Sequence, residues 1–422
     1  MTPDQRQQYF RTTLPVFQIS CEKRKLIGEE EEKTSLAMEQ KRIKDVSQRH
    51  KELHPPLIRE CPVCLDDIEM IEHNSMIYFY CCGYGTCYKC FKQTQDSDEH
   101  SFNGSCPLCR SSITSEVVIR TKRIMKCAER GMGWAQCKVS QYYRIGNELI
   151  DIDEKKSLEW LLLSSENDFP DLNAIRFLAQ KYEMGCEDSG LAKSKEKAIA
   201  LYKRAADLGN VAAQDRLAIL FYREDNWTDA IYYATLATEN RPYAPNEYGA
   251  AVYAAYVLGM AYHYGKTELK EDVYLARHYF QIAVEGGFEQ AGPLYGEALI
   301  SVAETEHRGM TSIPGYSPIP KALYWFRKAA NLSCEGCGDP NCWKEELISH
   351  GTYWTNLIES KELNNCSLCG ISADDLPGKK NMKQCGRCKG AWYCSRECQV
   401  ASWPGHKNDC VKPDAPMKSA FH

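Results

Sequence analysis

The sequence contains no stretch near the ~20 consecutive apolar residues that a membrane-spanning helix needs. The nearest is the Ala/Tyr-rich run from Gly249 to Tyr264, which is too short and reads as a buried helix. The first residues, MTPDQRQQYFRTTLPVF, lack the basic start and apolar run of a secretory signal. An intracellular location, cytoplasmic or nuclear, is therefore expected, with thiols kept reduced; Lys41-Arg42-Ile43-Lys44 is too short to read as an import signal. Also missing are a Gly-x-x-x-x-Gly-Lys-Ser/Thr phosphate loop, a His-Glu-x-x-His helix and a Gly-x-Ser-x-Gly elbow, so nothing signals nucleotide hydrolysis, metalloprotease or esterase chemistry. Bulk positive charge is lacking too. The formal charge is −5, and it falls to about −12 if fifteen cysteines are thiolates on four zinc ions. Phosphate binding needs a basic face, so nucleic acid is not an expected partner. Taken by itself, the C-terminal segment is basic, at Lys379, Lys380, Lys383, Arg387 and Lys389.

What the sequence does have is cysteine: 22 in 422 residues, within an ordinary balance of 43% apolar and 26% charged residues. At roughly 100–200 residues per domain, the length suggests about two to four units. In a reducing compartment so many thiols point to metal sites rather than a disulfide framework. Their distribution agrees: eight lie from Cys61 to Cys109, seven from Cys366 to Cys410, and three at Cys334, Cys337 and Cys342. Cys21, Cys127, Cys137 and Cys186 stand apart and read as small buried apolar residues.

Residues 1–57 read as a flexible charged leader, dense in Glu, Lys, Arg and Gln and partly helical over 22–54, that stops where His54-Pro55-Pro56 breaks any helix. A different pattern fills residues 120–333. Lys197-Ala198-Ile199-Ala200-Leu201-Tyr202-Lys203-Arg204-Ala205-Ala206 returns as Lys321-Ala322-Leu323-Tyr324-Trp325-Phe326-Arg327-Lys328-Ala329-Ala330, with weaker copies from Lys156, Asp229 and Leu275. The small residue after the first position recurs at Ser157, Ala198, Ala230, Ala276 and Ala322, at intervals of 41, 32, 46 and 46 residues. A partner helix ending in Tyr-x-x-Gly precedes several copies, at Tyr143–Gly146, Tyr182–Gly185 and Tyr262–Gly265, where glycine accepts the left-handed backbone that stops a helix. Paired helices at this period indicate an α-solenoid, and the pattern resembles Sel1-like repeats, relatives of the tetratricopeptide class.

The C-terminal cysteines run Cys366-x2-Cys369, Cys385-x2-Cys388, Cys394-x3-Cys398 and His406-x3-Cys410. A Cys-x2-Cys turn aims two sulfurs at one point, and an x3 spacing puts two ligands on one helix face, so four pairs make two tetrahedral zinc sites. With Tyr393 before Cys394, Gln399 after Cys398 and Trp403 three residues before His406, residues 366–410 resemble a MYND-type finger. The resemblance implies interleaved binding: Cys366, Cys369, Cys394 and Cys398 on one ion, and Cys385, Cys388, His406 and Cys410 on the other. It also implies a proline-containing peptide as ligand. Trp392, Trp403 and Gln399 are the candidate contacts, because extended proline-rich chains favour aromatic-lined grooves. MYND fingers also occur inside SET-domain lysine methyltransferases, but no SET-like motif is present.

The N-terminal set reads Cys61-Pro62-Val63-Cys64, Cys81-Cys82, Cys87-x2-Cys90 and Cys106-Pro107-Leu108-Cys109-Arg110. It resembles a RING finger over residues 58–115. That resemblance implies that the first and third pairs share one ion and the second and fourth the other. It departs from the family at the second pair: Tyr84 stands where RING fingers often place a histidine, so adjacent Cys81 and Cys82 are assigned, with His73 and His100 as substitutes. RING ligases dock a ubiquitin-conjugating enzyme through an aliphatic residue in the first pair, a proline in the last and a cation after it; Val63, Pro107 and Arg110 match. Residues 334–360 form a linker in which Cys334, Cys337 and Cys342, with His350, are a candidate third module, and residues 411–422 are a tail.

The expected fold is mainly α: an α-solenoid of Sel1-like helix pairs flanked by two small zinc-stabilised domains, holding four zinc ions, or five if the Cys334 cluster binds one. The implied function is protein interaction, as a RING-type ubiquitin ligase selecting substrates through the repeats and the MYND finger. The alternative is a non-enzymatic adaptor using the same surfaces.

Overall fold

The structure is a computed structural model. It describes residues 3–55, 57–69, 76–96, 105–239, 251–307, 319–331, 343–359, 366–367, 382–410 and 412; within these, side chains at 3–25, 94–96, 303–307, 319, 343–347, 357–359 and 408–409 are left aside. His73, His100, Cys334, Cys337, Cys342 and Cys369 lie outside the described residues. The chain divides into two compact units, residues 43–242 and residues 1–42 with 243–422. Among the described residues no helix is long and apolar enough to cross a membrane.

The leader, expected to be flexible and partly helical, is helical over nearly all of its described part: it forms helix α1 (Pro3–Leu53), which gives residues to both units. Its buried positions include Ser35, Glu39, Ser47 and His50, a helical spacing of small and polar residues rather than apolar ones. Nothing in the hydrophobic pattern marks such a face.

In the unit of residues 43–242, β1 (Ile58–Glu60) pairs antiparallel with β2 (Asp67–Glu69), Arg59 opposite Ile68. Strand β3 (Met76–Tyr78) pairs with β4 (Gly85–Cys87), Ile77 opposite Thr86, and α2 (Tyr88–Asp96) follows. Helix α3 (Val117–Glu129) then leads into three helix pairs: α4 (Gly133–Ile145) with α5 (Glu154–Ser165), α6 (Leu172–Met184) with α7 (Lys195–Asp207), and α8 (Val211–Arg223) with α9 (Trp227–Glu239). In the other unit, α10 (Val252–Tyr264) pairs with α11 (Val273–Glu285). Helices α12 (Gly292–His307), α13 (Ile319–Ala330) and α14 (Trp343–Glu359) follow, then β5 (Lys383–Gln384), β6 (Trp392–Tyr393) and α15 (Arg396–Asp409).

The repeat works as its residues suggest. Ser157, Ala198, Ala230, Ala276 and Ala322 are at most 1% exposed, because a larger side chain there would push the helices apart. Gly146, Gly185 and Gly265 all have positive φ. Beyond the turn, the N–H groups of Asp153, Ser194 and Asp272 donate to the carbonyls of Tyr143, Tyr182 and Tyr262, at 2.8, 2.8 and 3.1 Å. The same three side chains then cap α5, α7 and α11 by accepting from backbone N–H groups. This cap stands four residues before four of the five recurring small residues, at Asp153, Ser194, Asn226 and Asp272. Small residues also admit large ones: a Cβ on Gly259 would stand 2.6 Å from the Phe280 ring.

Candidate metal centres

Three of the four cysteine-rich sites are built on the same local device. In Cys61–Cys64, Cys106–Cys109 and Cys385–Cys388 the chain makes a tight knuckle. The residue after it, Leu65, Arg110 or Lys389, has φ near +60° (59, 60 and 58°) and returns its N–H to the carbonyl of the first cysteine at 2.9, 2.8 and 3.1 Å. The N–H of that first cysteine in turn reaches the carbonyl of Asp66, Ser111 or Ala391, at 2.9, 2.8 and 2.8 Å. The turn thus satisfies its own backbone and leaves both sulfurs on one side.

The sulfurs converge in interleaved sets. Cys61, Cys64, Cys87 and Cys90 bring their ligand atoms within 4.8 Å of one another, as do Cys81, Cys82, Cys106 and Cys109. So do Cys385, Cys388, His406 and Cys410, and a fourth group holds Cys366, Cys394 and Cys398. A tetrahedron with Zn–S of about 2.3 Å has edges of roughly 3.8 Å. Cys64–Cys87 and Cys385–Cys410 are 3.8 Å apart and Cys82–Cys106 is 3.9 Å, far beyond a disulfide. The donor sets therefore fit Zn2+, and the three sets with four protein donors match closed sites of the structural kind. Adjacent Cys81 and Cys82 enter one set together because a turn carries them: the N–H groups of Cys82 and Gly83 both return to the Phe79 carbonyl, at 3.3 and 2.7 Å. Tyr84 is exposed and belongs to no set.

Backbone dipoles prepare some of these sulfurs for a cation. Burial raises the Cys61 thiol, but N–H groups of Cys87, Cys64 and Val63 outweigh it and bring it down to about 6. The bond from Cys388, then that from His406, lowers Cys385 to about 3, while Cys388 moves up. His406 is buried, its Nε2 3.4 Å from the Cys385 sulfur.

Neither finger hangs free of the helices. Arg130 donates to the Cys82 carbonyl at 3.1 Å and Trp134 to the Gly83 carbonyl at 3.2 Å, while Tyr78 stacks on Trp134 at 5.1 Å. In the other unit, Arg327 on α13 donates to the Cys388 carbonyl at 3.1 Å, and a Cβ on Gly390 would meet Pro320 Cα at 2.8 Å. Each finger is thus tied to the helical part by an arginine on a cysteine carbonyl, a feature sequence spacing does not reveal.

Of the surface candidates, Val63 is 49% exposed, and Pro107 and Arg110 are exposed. Trp403 is 44% exposed, with its ring 5.9 Å from that of His406. Trp392 is half-buried against the finger core, and Gln399 is half-buried on α15. His350 sits 2.6 Å from Glu297, which also accepts from Trp354 at 2.7 Å. Cys127 and Cys137 are buried as expected, whereas Cys186 is partly exposed.

The MYND finger family model matches residues 366–410, and the Sel1 repeat model matches 135–169, 173–210, 252–288 and 315–334. The chain is similar to N-lysine methyltransferase SMYD2-B of Xenopus laevis, 35% identical over 66 residues. It is similar also to SMYD2 of Homo sapiens (38% over 64) and of Rattus norvegicus (53% over 64). These matches span 16%, 15% and 15% of this chain and only 14%, 13% and 13% of the relatives, and they are confined to the MYND finger. Among solved structures it is similar to an Escherichia coli protective antigen displaying an SLR fold, at 22% identity and TM-score 0.41, covering 58% of this chain and 49% of that one. A Sel1 repeat protein from Oxalobacter formigenes is 16% identical with TM-score 0.38, covering 55% and 90%. The chain carries a MYND finger and Sel1 repeats, and so is a zinc-finger protein of the protein-interaction class.

Proposed function

We propose that this protein is a RING-type ubiquitin ligase, in which the N-terminal finger docks a ubiquitin-conjugating enzyme while the repeats and the MYND finger hold the substrate. The observation that carries the reading is the interleaving of Cys61, Cys64, Cys87 and Cys90 with Cys81, Cys82, Cys106 and Cys109. That crossing leaves Val63, Pro107 and Arg110 exposed around the knuckles. The four sets would take four zinc ions, Cys369 completing the set of Cys366, Cys394 and Cys398.

Arg110 follows a ligand without being one, so Arg110→Ala should leave zinc bound. It should slow ubiquitin transfer about tenfold, the loss expected for one charge-assisted hydrogen bond. Val63→Ala should weaken carrier docking by about 1 kcal/mol, roughly fivefold. Discharge assays with native mass spectrometry check both. If the intact protein builds no ubiquitin chains with a broad carrier panel, the non-enzymatic adaptor reading replaces this one.

The half-exposed Trp403 supports a peptide groove on the MYND finger. A proline-peptide array should give hits with the full-length zinc-loaded protein. Gln399→Ala and Trp403→Ala should weaken the best hit by about 1–2 kcal/mol with zinc content unchanged. An array without hits would end the groove assignment.

A further inference from the structure

One more group of metal-binding side chains comes together outside the cysteine sets. His50 and His54 stand at i and i+4 at the C-terminal end of α1 and share a helix face; the His54 N–H still bonds the His50 carbonyl at 2.8 Å. Facing them is Asp207, the last residue of α7. One ligand atom from each lies within 4.8 Å of the others. The two imidazoles are 4.9 Å apart between ring centres, and His54 Nδ1 is 3.8 Å from the Asp207 carboxylate.

The surroundings are those of a ligand set. His50 is only 5% exposed, its Nδ1 lies 2.7 Å from the Tyr232 hydroxyl, and among the described residues its buried Nε2 makes no hydrogen bond of ordinary geometry, although the Ala206 and Asp207 carbonyls lie near the ring. With Nδ1–H donating to Tyr232, the lone pair falls on Nε2, the way a second partner holds a ligating histidine. Leaving a buried nitrogen unpaired is otherwise unfavourable. Two helices, α1 and α7, end at this point, and a helix C-terminus carries partial negative charge that favours a cation.

We propose that His50, His54 and Asp207 form a divalent transition-metal site of zinc type, with nitrogen and oxygen donors only and Tyr232 as the group that orients His50. The present spread is wider than the edge of a bound tetrahedron, about 3.4 Å, so binding requires the ligands to draw together, and the His54 side chain, 39% exposed, is the less confined of the two histidines. Three protein ligands leave a fourth position for water. The bound ion would clamp the end of α1 onto α7.

Titration with Co2+ of the full-length protein loaded with four equivalents of zinc, enough to fill the cysteine sets alone, followed by visible absorption, tests this. The expected result is one saturable equivalent of Co2+ whose d–d bands come without sulfur-to-cobalt charge transfer. His54→Gln and Asp207→Asn should each weaken that binding at least tenfold, and Tyr232→Phe about tenfold, all with unchanged zinc content. The His54 side chain is partly exposed and asparagine keeps the shape of aspartate, so these variants should melt like the parent. A zinc-loaded parent with no saturable band, a band carrying sulfur charge transfer, or both ligand variants binding Co2+ like the parent would overturn the site.

Discussion

Chelation of zinc should unfold both fingers and spare the helix pairs between them. Structural zinc supplies on the order of 10 kcal/mol per ion in finger peptides, more than a segment of this size gains from its own core. The core of the C-terminal finger consists largely of the ligands themselves: Cys366, Cys385, Cys388, Cys398 and Cys410, with Met382, Ala391 and Tyr393. The helix pairs rest instead on apolar residues such as Leu161, Leu217, Leu258 and Phe280, each no more than 1% exposed. Helices α2 and α15 hold only 9 and 14 residues, so far-UV helical signal should fall slightly. Amide-exchange protection should be lost across residues 58–112 and 366–410 and kept across α4 to α11. Because Arg130 and Arg327 bind finger carbonyls, α3 and α13 should lose part of their protection as well. Loss of protection across α4 to α11 at the same chelator dose would refute separate sources of stability.

The parts of this protein that repeat were legible. A small residue at each helix crossing, glycine after Tyr-x-x and cysteines in pairs each express one local steric or coordination demand, so spacing alone reveals them. The assignment of second-pair ligands to Cys81 and Cys82 rested on elimination of Tyr84, and the sulfur positions are compatible with it. What spacing hid was how elements bind one another through polar atoms. Arg130 on the Cys82 carbonyl, Arg327 on the Cys388 carbonyl and Tyr232 on His50 join residues tens to hundreds of positions apart. No periodicity announces such pairs. Helix α1 is the clearest case: its inward face carries Ser35 and Glu39 rather than leucines, and so reads as solvated.

Glu39→Ala should therefore release the N-terminal part of α1 from α10 and α11. Glu39 is 4% exposed and accepts four hydrogen bonds: from the hydroxyls of Tyr262 and Tyr279, and in bidentate fashion from Arg42 at 2.7 and 2.8 Å. Tyr274 on Glu31 and Arg277 on Glu32 extend the contact about two helical turns away. Truncation strands a guanidinium and two hydroxyls in a desolvated place, at a cost of about 3–5 kcal/mol, whereas Glu39→Gln keeps the shape and should cost less. Adding Tyr279→Phe to Glu39→Ala should recover part of the loss, because it removes one stranded hydroxyl. Burial opposes ionisation of Glu39, yet Arg42, Tyr262 and Tyr279 outweigh it and hold its carboxyl below the ordinary value. The unfolded chain then binds the proton first as pH falls. The Glu39 contribution is full above the ordinary carboxylate range, near pH 4.3, and is lost as pH drops through the lower folded value. Amide exchange of residues 26–42 and of α10–α11, measured against pH in the parent and in Glu39→Gln, reads this directly. The parent should lose protection on acidification and the glutamine variant should show a flatter profile. Unchanged protection of residues 26–42 in Glu39→Ala would mean that the carboxylate does not hold the helix.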